Sequence, residues 1–149
     1  MKKRKKIFIF FLVLISLIWF YTNPLIGVNT LAKKYYTELK IELKKQNLNP
    51  KVFAISGKRW KLDNYLLTVL GGAASKSKHR LGEAIDIIVL DVNDDGISNS
   101  KDVDLVYKIL NTKIIKHKGG IGTYKNESGF FNQQMIHFDC RGKKARWHR

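Results

Sequence analysis

The chain has 149 residues, a length that corresponds to one domain with little left over once the N-terminus is set aside. It contains a single cysteine, Cys140, which excludes an internal disulfide. Its formal net charge is +16, with 28 Lys and Arg against 12 Asp and Glu, so we expect an anionic partner. For an exported domain, a cell-wall polymer or a lipid headgroup suits this charge better than nucleic acid does.

The first 28 residues predict a segment that directs the protein to a membrane or holds it there. Residues 2–6 are all Lys or Arg, and residues 7–21 form an uncharged run in which Ser16 is the polar exception. Extended to Val28, the segment could span a bilayer, which takes roughly 20 residues. The alternatives are an uncleaved transmembrane anchor, a cleaved signal peptide, or a buried core helix. Either of the first two places a domain of residues 29–149 outside the cytoplasmic membrane.

Hydrophobic periodicity predicts helices and short strands that alternate along this domain. Apolar residues spaced four apart predict a helix over 29–46, and two further helices follow at 61–70 and 102–110. The predicted strands cover residues 51–56, 84–90, 120–124 and 134–140. Few, short strands interleaved with helices favour an α+β fold with a small, mainly antiparallel sheet flanked by helices.

A carboxylate, Asp86, interrupts the second predicted strand. Because side chains alternate along a strand, Ile85 and Ile87 would face the core and Asp86 the opposite side. Burying a carboxylate in apolar surroundings costs free energy unless the group is paired or bound to a metal. Gly82 permits a turn that would bring His79 back beside Asp86.

The last predicted strand brings a second histidine to the same place. His137 and Asp139 share one face of residues 134–140, so both can point into one cleft with His79 and Asp86. Two histidines and one aspartate, with a water in the fourth position, form an open tetrahedral site of the kind that holds catalytic zinc. Zinc in such a site lowers the pKa of its water to about 7 and polarises a carbonyl group.

The spacing Ser77-x-His79-x-x-Gly82-x-Ala84-x-Asp86, with a later histidine on a strand, resembles the zinc D-alanyl-D-alanine carboxypeptidase superfamily. This group also includes phage cell-wall endopeptidases and the hedgehog signalling fold. The ending from His137 to Trp147, which contains His-x-Asp-x-Arg-Gly, is similar to a bacterial branch of the superfamily, as is Gly120–Tyr124. Ser56-Gly57-Lys58-Arg59 resembles the family's Ser-Gly-Tyr-Arg segment, with Lys58 in place of the usual tyrosine. The resemblance covers Val52 to Trp147.

The resemblance implies a fold, a cofactor and roles for particular residues. The domain would have the hedgehog/DD-peptidase-like fold and would bind Zn²⁺. His79, Asp86 and His137 would be the zinc ligands. Arg59 would contact a carboxylate or a carbonyl group of a peptide substrate.

The general base is where the sequence departs from the family pattern. Many relatives have Glu or Asp three residues before the last ligand, where this chain has Gln134, which cannot accept a proton. Asp139 is the nearest alternative, as the base or as a carboxylate that orients His137; Glu127 and Glu83 are weaker candidates. Relatives that end in His-x-His use the second His as ligand, and in that register Asp139 would bind zinc while His137 did acid–base work.

Residues 91–102 fit the EF-hand calcium loop almost position for position, with Gly96 at the sharp turn. Five of the 12 acidic residues lie within 91–104, and like charges so close together repel unless a cation neutralises them. A strand rather than a helix precedes the loop, and its last position is a short aspartate, which predicts weaker affinity. The expected Ca²⁺ ligands are Asp91, Asn93, Asp95, Ile97, Asn99 and Asp102. A solvated acidic turn is the alternative, and bound calcium could order the zinc site.

These features favour a zinc metallopeptidase of the bacterial cell envelope. The resemblance implies that it hydrolyses peptidoglycan stem peptides, as a carboxypeptidase or as an endopeptidase. A second hypothesis is a non-catalytic cell-wall binding domain that kept the metal site and lost the base, for which Gln134 is the best support. A third is a calcium-dependent interaction module.

Overall fold

The computed structural model describes residues 2–59, 65, 69, 77–126 and 133–149. Three α-helices have defined bounds, namely α1 (Lys2–Thr22), α2 (Thr30–Lys45) and α3 (Ser100–Ile109). A 3₁₀ helix spans Lys78–Leu81, and a π-helical turn over Leu110–Ile114 continues α3. The strands are β1 (Val52–Ser56), β2 (Ala84–Val89), β3 (Gly120–Asn126), β4 (Gln133–Asp139) and β5 (Ala145–His148). The helix predicted over 61–70 lies outside the described residues, apart from the helical positions 65 and 69.

The five strands form one mixed sheet in the order β1-β2-β4-β3-β5. The pairs β1–β2, β2–β4 and β3–β4 are antiparallel, and β3–β5 is parallel. The prediction of an α+β fold is therefore confirmed, and the sheet is mixed, with antiparallel pairs predominating. Strand β5 was not predicted from the sequence, because its alternation of charged and aromatic residues lacks the apolar run that marked the other strands.

One face of the sheet carries the hydrophobic core. Ile85, Ile87 and Val89 are fully buried, as the predicted alternation of β2 requires. Helices α2 and α3 pack over this face and contribute Leu39 and Val106, among others, to the same cluster. Asp86 and the other residues on its face of β2 consequently lie on the side of the sheet opposite the core.

Polar side chains fix the ends of the two core helices. The Asn29 side chain accepts a hydrogen bond from the Ala32 N–H at 2.8 Å and begins α2. Asn99 and Asp102 form a capping box at the start of α3. The Asn99 side chain accepts from the Asp102 N–H, and the Asp102 side chain accepts from the Asn99 N–H. The left-handed conformation of Asn47 (φ 57°) follows the end of α2.

Helix α1 begins in the basic block and contains the apolar run. Its apolar side chains from Ile7 to Ile15, and that of Trp19, have exposed fractions between 40% and 64%. By length and hydropathy, no helix in the described part of the chain qualifies as a membrane span. Residues 23–28 lead from α1 into the domain, where Val28 is buried in the core.

Candidate metal centre

Three potential ligand atoms converge on the face of the sheet opposite the core. The Nε2 atom of His79 lies 3.1 Å from Asp86 Oδ1 and 3.1 Å from His137 Nδ1, and the His137 Nδ1 atom lies 2.8 Å from Asp86 Oδ1. Asp86 and His137 are direct partners in the β2–β4 register. Among the described residues, these three form the group of histidine and carboxylate side chains that could hold a metal ion.

His79 reaches the site from the short 3₁₀ helix that precedes β2. The Ser77 side chain accepts from the His79 N–H and caps this helix, and Gly82 ends it in the left-handed conformation (φ 70°). The His79 Nδ1–H donates to the Gly57 carbonyl at 2.6 Å, because a carbonyl oxygen can only accept. In the neutral ring, Nε2 is therefore left without a proton and faces Asp86 and His137 as a lone pair.

His137 is oriented in the same way by a carboxylate. Its Nε2 lies 3.3 Å from Asp139 Oδ2, which favours the tautomer that leaves Nδ1 free to bind a metal. Asp139 is itself fully buried and accepts from the Gly120 N–H at 3.0 Å. The Arg141 guanidinium donates to both Asp139 oxygens, at 2.8 Å from Nε to Oδ1 and 2.5 Å from Nη2 to Oδ2. Hydrogen bonds from Gly120 and Arg141 thus fix the Asp139 carboxylate, and the carboxylate fixes the orientation of the His137 ring.

Arg59 holds the carboxylate of Asp86, the third potential ligand. Its Nη2 donates to Asp86 Oδ2 at 2.8 Å, and its Nε donates to Ser56 Oγ at 3.2 Å. The bond to Arg59 occupies Oδ2 and leaves Oδ1 directed at the two histidines, so Asp86 offers one oxygen to a cation. Arg59 thus lies beside the converging atoms, and its contact with a substrate stays a prediction.

Zinc fits this group of donor atoms. His79 Nε2, His137 Nδ1 and Asp86 Oδ1 form a triangle with sides of 2.8–3.1 Å. Tetrahedral zinc with nitrogen and oxygen ligands at about 2.0–2.1 Å requires ligand atoms about 3.3 Å apart, which is close to these sides. In their neutral tautomers, both imidazoles present lone pairs to a carboxylate oxygen. Three acceptors this close repel one another unless a cation or an extra proton lies among them. The donor set therefore favours a bound cation.

Burial and hydrogen bonding act against each other on the pKa values of the centre. Burial by itself would raise the pKa of Asp86, but its hydrogen-bonding contacts with the rings of His137 and His79 outweigh burial and hold this pKa well below the usual range. The pKa of Asp139 is also held well below its usual range, because bonds from His137 and Arg141 outweigh its burial. Burial would lower the pKa of His137, but hydrogen bonds to Asp139 and Asp86 raise it above its ordinary value.

These shifts predict a stability optimum for the metal-free protein. The two aspartates contribute stability that is complete above about pH 4 and is lost as the pH falls through their depressed pKa values. His137 contributes stability that is complete below about pH 6.5 and is lost as the pH rises through its raised pKa. We expect the urea midpoint of the chelator-treated full chain to be highest between these limits.

The control for this prediction is His137→Gln, which should remove the loss of stability above about pH 6.5 and leave the acid limb in place. A proton on His137 Nδ1 also competes with a metal ion, so zinc affinity should rise with pH over the same range. A wild-type midpoint that is higher at pH 8 than near pH 5.5 without metal would contradict the prediction.

The surroundings of Asp139 favour an orienting role over that of a general base. A base needs an accessible lone pair and a pKa near the working pH. Asp139 is fully buried, its oxygens accept from Arg141, Gly120 and His137, and its pKa is strongly lowered. The register in which Asp139 binds zinc is also disfavoured, since the converging group contains His137 instead.

The other predicted base candidates are placed away from the triangle or fall outside the described residues. Gln134 lies on the core face of β4, where its Nε2 donates to the Ser98 carbonyl at 2.9 Å. Glu83 pairs with Lys78 at 2.8 Å. Glu127 lies outside the described residues. Position 134 therefore does not face the three converging atoms, and an acidic residue there would not lie beside them.

Two glycines of β3 and an aromatic residue of β5 complete the centre, and none of the three was predicted to lie there. A Cβ atom on Gly120 would meet the Asp139 carboxylate, and one on Gly122 would collide with the Trp147 indole. The indole centroid lies 5.3 Å from that of the His137 ring, and the Trp147 Nε1–H donates to Tyr124 Oη at 3.2 Å. The alternation of glycines at 120 and 122 was the available signal, because bare positions on a strand indicate close approach of another group.

We expect Gly122→Ala to displace the Trp147 indole, because the added methyl group would occupy the space of the ring. Overpacking of this kind costs about 1–3 kcal/mol of unfolding free energy. Zinc affinity should fall as well, since the ring packs against His137. Urea unfolding and a competitive zinc titration measure the two effects.

The double variant Gly122→Ala/Trp147→Ala provides the control. If the loss arises from the clash, the alanine at 122 should cost much less in the Trp147→Ala background than in the wild type. Equal costs in both backgrounds would show that the clash with Trp147 is not the cause.

The predicted calcium loop adopts several features of its motif. Gly96 is left-handed (φ 85°), and Asp91 accepts from the Asp95 N–H at 3.1 Å and the Gly96 N–H at 3.3 Å. Asp102, however, is fully buried, with its oxygens accepting from the backbone of Val92 at 2.8 Å and of Asn99 at 2.9 Å. The last position of the loop therefore serves as a helix cap in this structure. The other predicted ligands, namely Asn93, Ile97 and the Asn99 side chain, lie in an exposed or half-buried turn.

Comparison with family models, with curated proteins and with solved structures gave no match.

Proposed function

We propose that this protein is a zinc-dependent peptidase that hydrolyses peptide bonds in peptidoglycan stem peptides. The observation that carries the proposal is the convergence of His79 Nε2, His137 Nδ1 and Asp86 Oδ1 within 3.1 Å of one another. Three protein ligands that leave room for a fourth are typical of catalytic rather than structural zinc. The substrate class rests on the resemblance of Val52–Trp147 to the zinc D-alanyl-D-alanine carboxypeptidase superfamily, and the fold would then be hedgehog/DD-peptidase-like.

Each side chain of the centre has a separate task in this proposal. A zinc ion bound here would polarise the scissile carbonyl and lower the pKa of a water molecule to about 7. His79 and His137 offer neutral nitrogens, and the Gly57 carbonyl and Asp139 keep their other ring nitrogens protonated. Asp86 supplies the negative charge, and Arg59 keeps it bound through one oxygen.

Charge balance supports an anionic substrate. The negative charge of Asp86 is compensated by Arg59, and that of Asp139 by Arg141. The formal charges of these four side chains therefore sum to zero before a metal binds. A divalent cation would then leave the centre with a net positive charge, which favours a peptide carboxylate close by. Arg59 and Arg141 are both partly exposed, with 17% and 25% of their side chains accessible. Both side chains are therefore partly open to solvent beside the centre, where a bound peptide would contact them.

The test is hydrolysis of a panel of muropeptides by the full chain purified in detergent. We expect cleavage that a chelator abolishes and added zinc restores. Release of free D-alanine would identify a carboxypeptidase, and separation of a cross-linked pair would identify an endopeptidase. Cleavage that persists after complete removal of metal would contradict the proposal.

A non-catalytic cell-wall binding domain is the second candidate, and Gln134 in place of an acidic residue favours it. It predicts one zinc per chain, binding to peptidoglycan fragments, and no cleavage anywhere in the panel. The position of Gln134 on the core face weakens this argument, since the residue does not face the zinc ligands.

We also propose that the domain works outside the cytoplasmic membrane, either anchored or released after cleavage of a signal. The support is the basic block at 2–6, followed by the apolar run of α1. Protease treatment of intact spheroplasts should degrade residues 29–149, and the mass of the purified protein should show whether the N-terminal segment is cut.

We expect calcium to bind the loop at 91–102 weakly, at about 10⁻⁴–10⁻³ M, as in extracellular modules. Binding through Asp102 would require its carboxylate to give up hydrogen bonds from the backbone N–H groups of Val92 and Asn99, the second of which caps α3. Isothermal titration of the zinc-loaded full chain measures the affinity, and Asp91→Asn/Asp95→Asn should abolish it. Equal melting temperatures with and without millimolar calcium would contradict calcium binding and its proposed ordering of the zinc site.

A further inference from the structure

Four exposed lysines lie in two loops that meet at one end of the sheet. Lys116 and Lys118 precede β3, and Lys143 and Lys144 precede β5; we call these four residues the basic loops. The Gly142 N–H donates to the Lys118 carbonyl at 3.0 Å and joins the two loops. Within the described part of the chain, none of the four forms an ion pair with a carboxylate.

The chain segments that carry the basic loops contain almost no acidic residues that could compensate their positive charge. The described stretches 105–126 and 133–149 each contain five Lys and Arg residues, and their one acidic residue is the buried Asp139. Several lysines outside the basic loops are paired with carboxylates, for example Lys51 with Asp91 at 3.5 Å and Lys125 with Asp104 at 2.6 Å. The basic loops therefore keep their charge available for a partner outside the domain.

The same end of the sheet receives the chain as it leaves α1. The Asn29 N–H donates to the Gly82 carbonyl at 2.9 Å, and the Asn29 side chain contacts Cys140 Sγ at 3.2 Å. The Cys140 N–H donates to the Glu83 carbonyl at 3.0 Å. Glu83 is neutralised by Lys78. Cys140 is only two residues from Gly142, so the exit from α1 and the basic loops lie on one side of the domain.

The helix that ends at this exit exposes a large apolar surface. Its side chains from Ile7 to Ile15 are 40–64% accessible, and a continuous exposed patch of this kind marks an interaction with a protein or a membrane. A cationic surface beside an apolar helix suits a membrane, because the anionic headgroups attract the lysines and the hydrocarbon region accommodates the apolar side chains.

We propose that the basic loops dock on the anionic lipid headgroups of a membrane, beside the point where the chain leaves α1. Docking would place the metal centre near the membrane surface. His137 and Gly142 are five residues apart, which limits the distance between them to about 17 Å. Substrate peptides close to the membrane would then be the ones within reach. This inference does not depend on hydrolysis, so it stands or fails independently of the proposed peptidase activity.

Lysine footprinting of the full chain in vesicles tests the proposal. The protein is placed in phosphatidylcholine vesicles with and without phosphatidylglycerol, with the domain outside, and amine acetylation is followed by mass spectrometry. We expect phosphatidylglycerol to slow labelling of each lysine of the basic loops about five-fold, and high salt to remove the effect. Lys44 and Lys45, exposed at the far end of α2, provide the control in the same sample.

A matched pair of charge variants tests whether the surface acts as a unit. Lys143→Glu/Lys144→Glu should remove the protection of Lys116 and Lys118, while Lys44→Glu/Lys45→Glu should leave it unchanged. Equal labelling of the basic loops in both kinds of vesicle would overturn the proposal. It would also be overturned if a soluble phosphodiester polymer gave the same protection in neutral vesicles, because the partner would then be a polymer.

Discussion

Asp86→Asn is expected to weaken zinc binding by more than 100-fold and, at limiting zinc, to remove hydrolysis. The substitution preserves the shape of the side chain but removes the one negative charge among the three converging ligands. Zinc bound by four ligands contributes roughly 10–16 kcal/mol, so the loss of one ligand costs about 3 kcal/mol, which is more than 100-fold in affinity. Competition with a chromophoric chelator measures this loss.

The same variant should also destabilise the metal-free protein. Arg59 donates to Asp86 Oδ2 at 2.8 Å in a largely buried pair, and a neutral asparagine leaves its charge uncompensated, at a cost of about 3 kcal/mol. Asp104→Asn is the matched control, because Asp104 is exposed and lies outside the centre. It should change neither zinc affinity nor stability appreciably. Wild-type zinc affinity in Asp86→Asn would rule Asp86 out as a ligand.

Asp139→Asn is expected to weaken zinc binding 10–100-fold and to leave turnover at saturating zinc within about ten-fold of the wild type. Asp139 contacts His137 Nε2 at 3.3 Å and is enclosed by Arg141, which is the geometry of a carboxylate that orients a ligand. A general base would behave differently, because its loss lowers turnover by about 10²–10⁴ even when the metal site is full. Turnover measured against zinc concentration separates the two roles.

Arg141→Lys provides the companion to this variant. Lysine keeps the positive charge beside Asp139 but cannot donate to both of its oxygens, so the carboxylate is held less firmly. Zinc affinity should fall in the same direction as in Asp139→Asn and by a smaller factor. Loss of turnover at saturating zinc in Asp139→Asn, with unchanged zinc affinity, would instead restore Asp139 as the base.

Local patterns in the sequence were enough to predict which side chains converge and on which faces of their strands they lie. The alternation of β2 separated Asp86 from Ile85 and Ile87, and the alternation of β4 placed His137 and Asp139 together. These features depend on residues two apart in the chain, and for that reason sequence alone could predict them.

Contacts between distant segments could not be predicted in this way. The bond from His79 to the Gly57 carbonyl joins residues 22 apart, and the parallel pairing of β5 with β3 has no short-range signal. Nothing in the sequence indicated that Trp147 lies at the centre, because its position over Gly122 depends on that pairing. The role of Asp139 was left open in the sequence for a similar reason, since only the enclosure by Arg141 and Gly120 distinguishes an orienting carboxylate from a base.

The most direct test of the metal centre is the zinc content of the purified full chain, measured together with its zinc X-ray absorption spectrum. Our account predicts one zinc per chain, with nitrogen and oxygen neighbours at about 2.0–2.1 Å and the signature of two imidazoles. A folded protein that takes up no zinc would contradict the account. So would a sulfur neighbour at about 2.3 Å, which would mean that Cys140 rather than the converging group binds the metal.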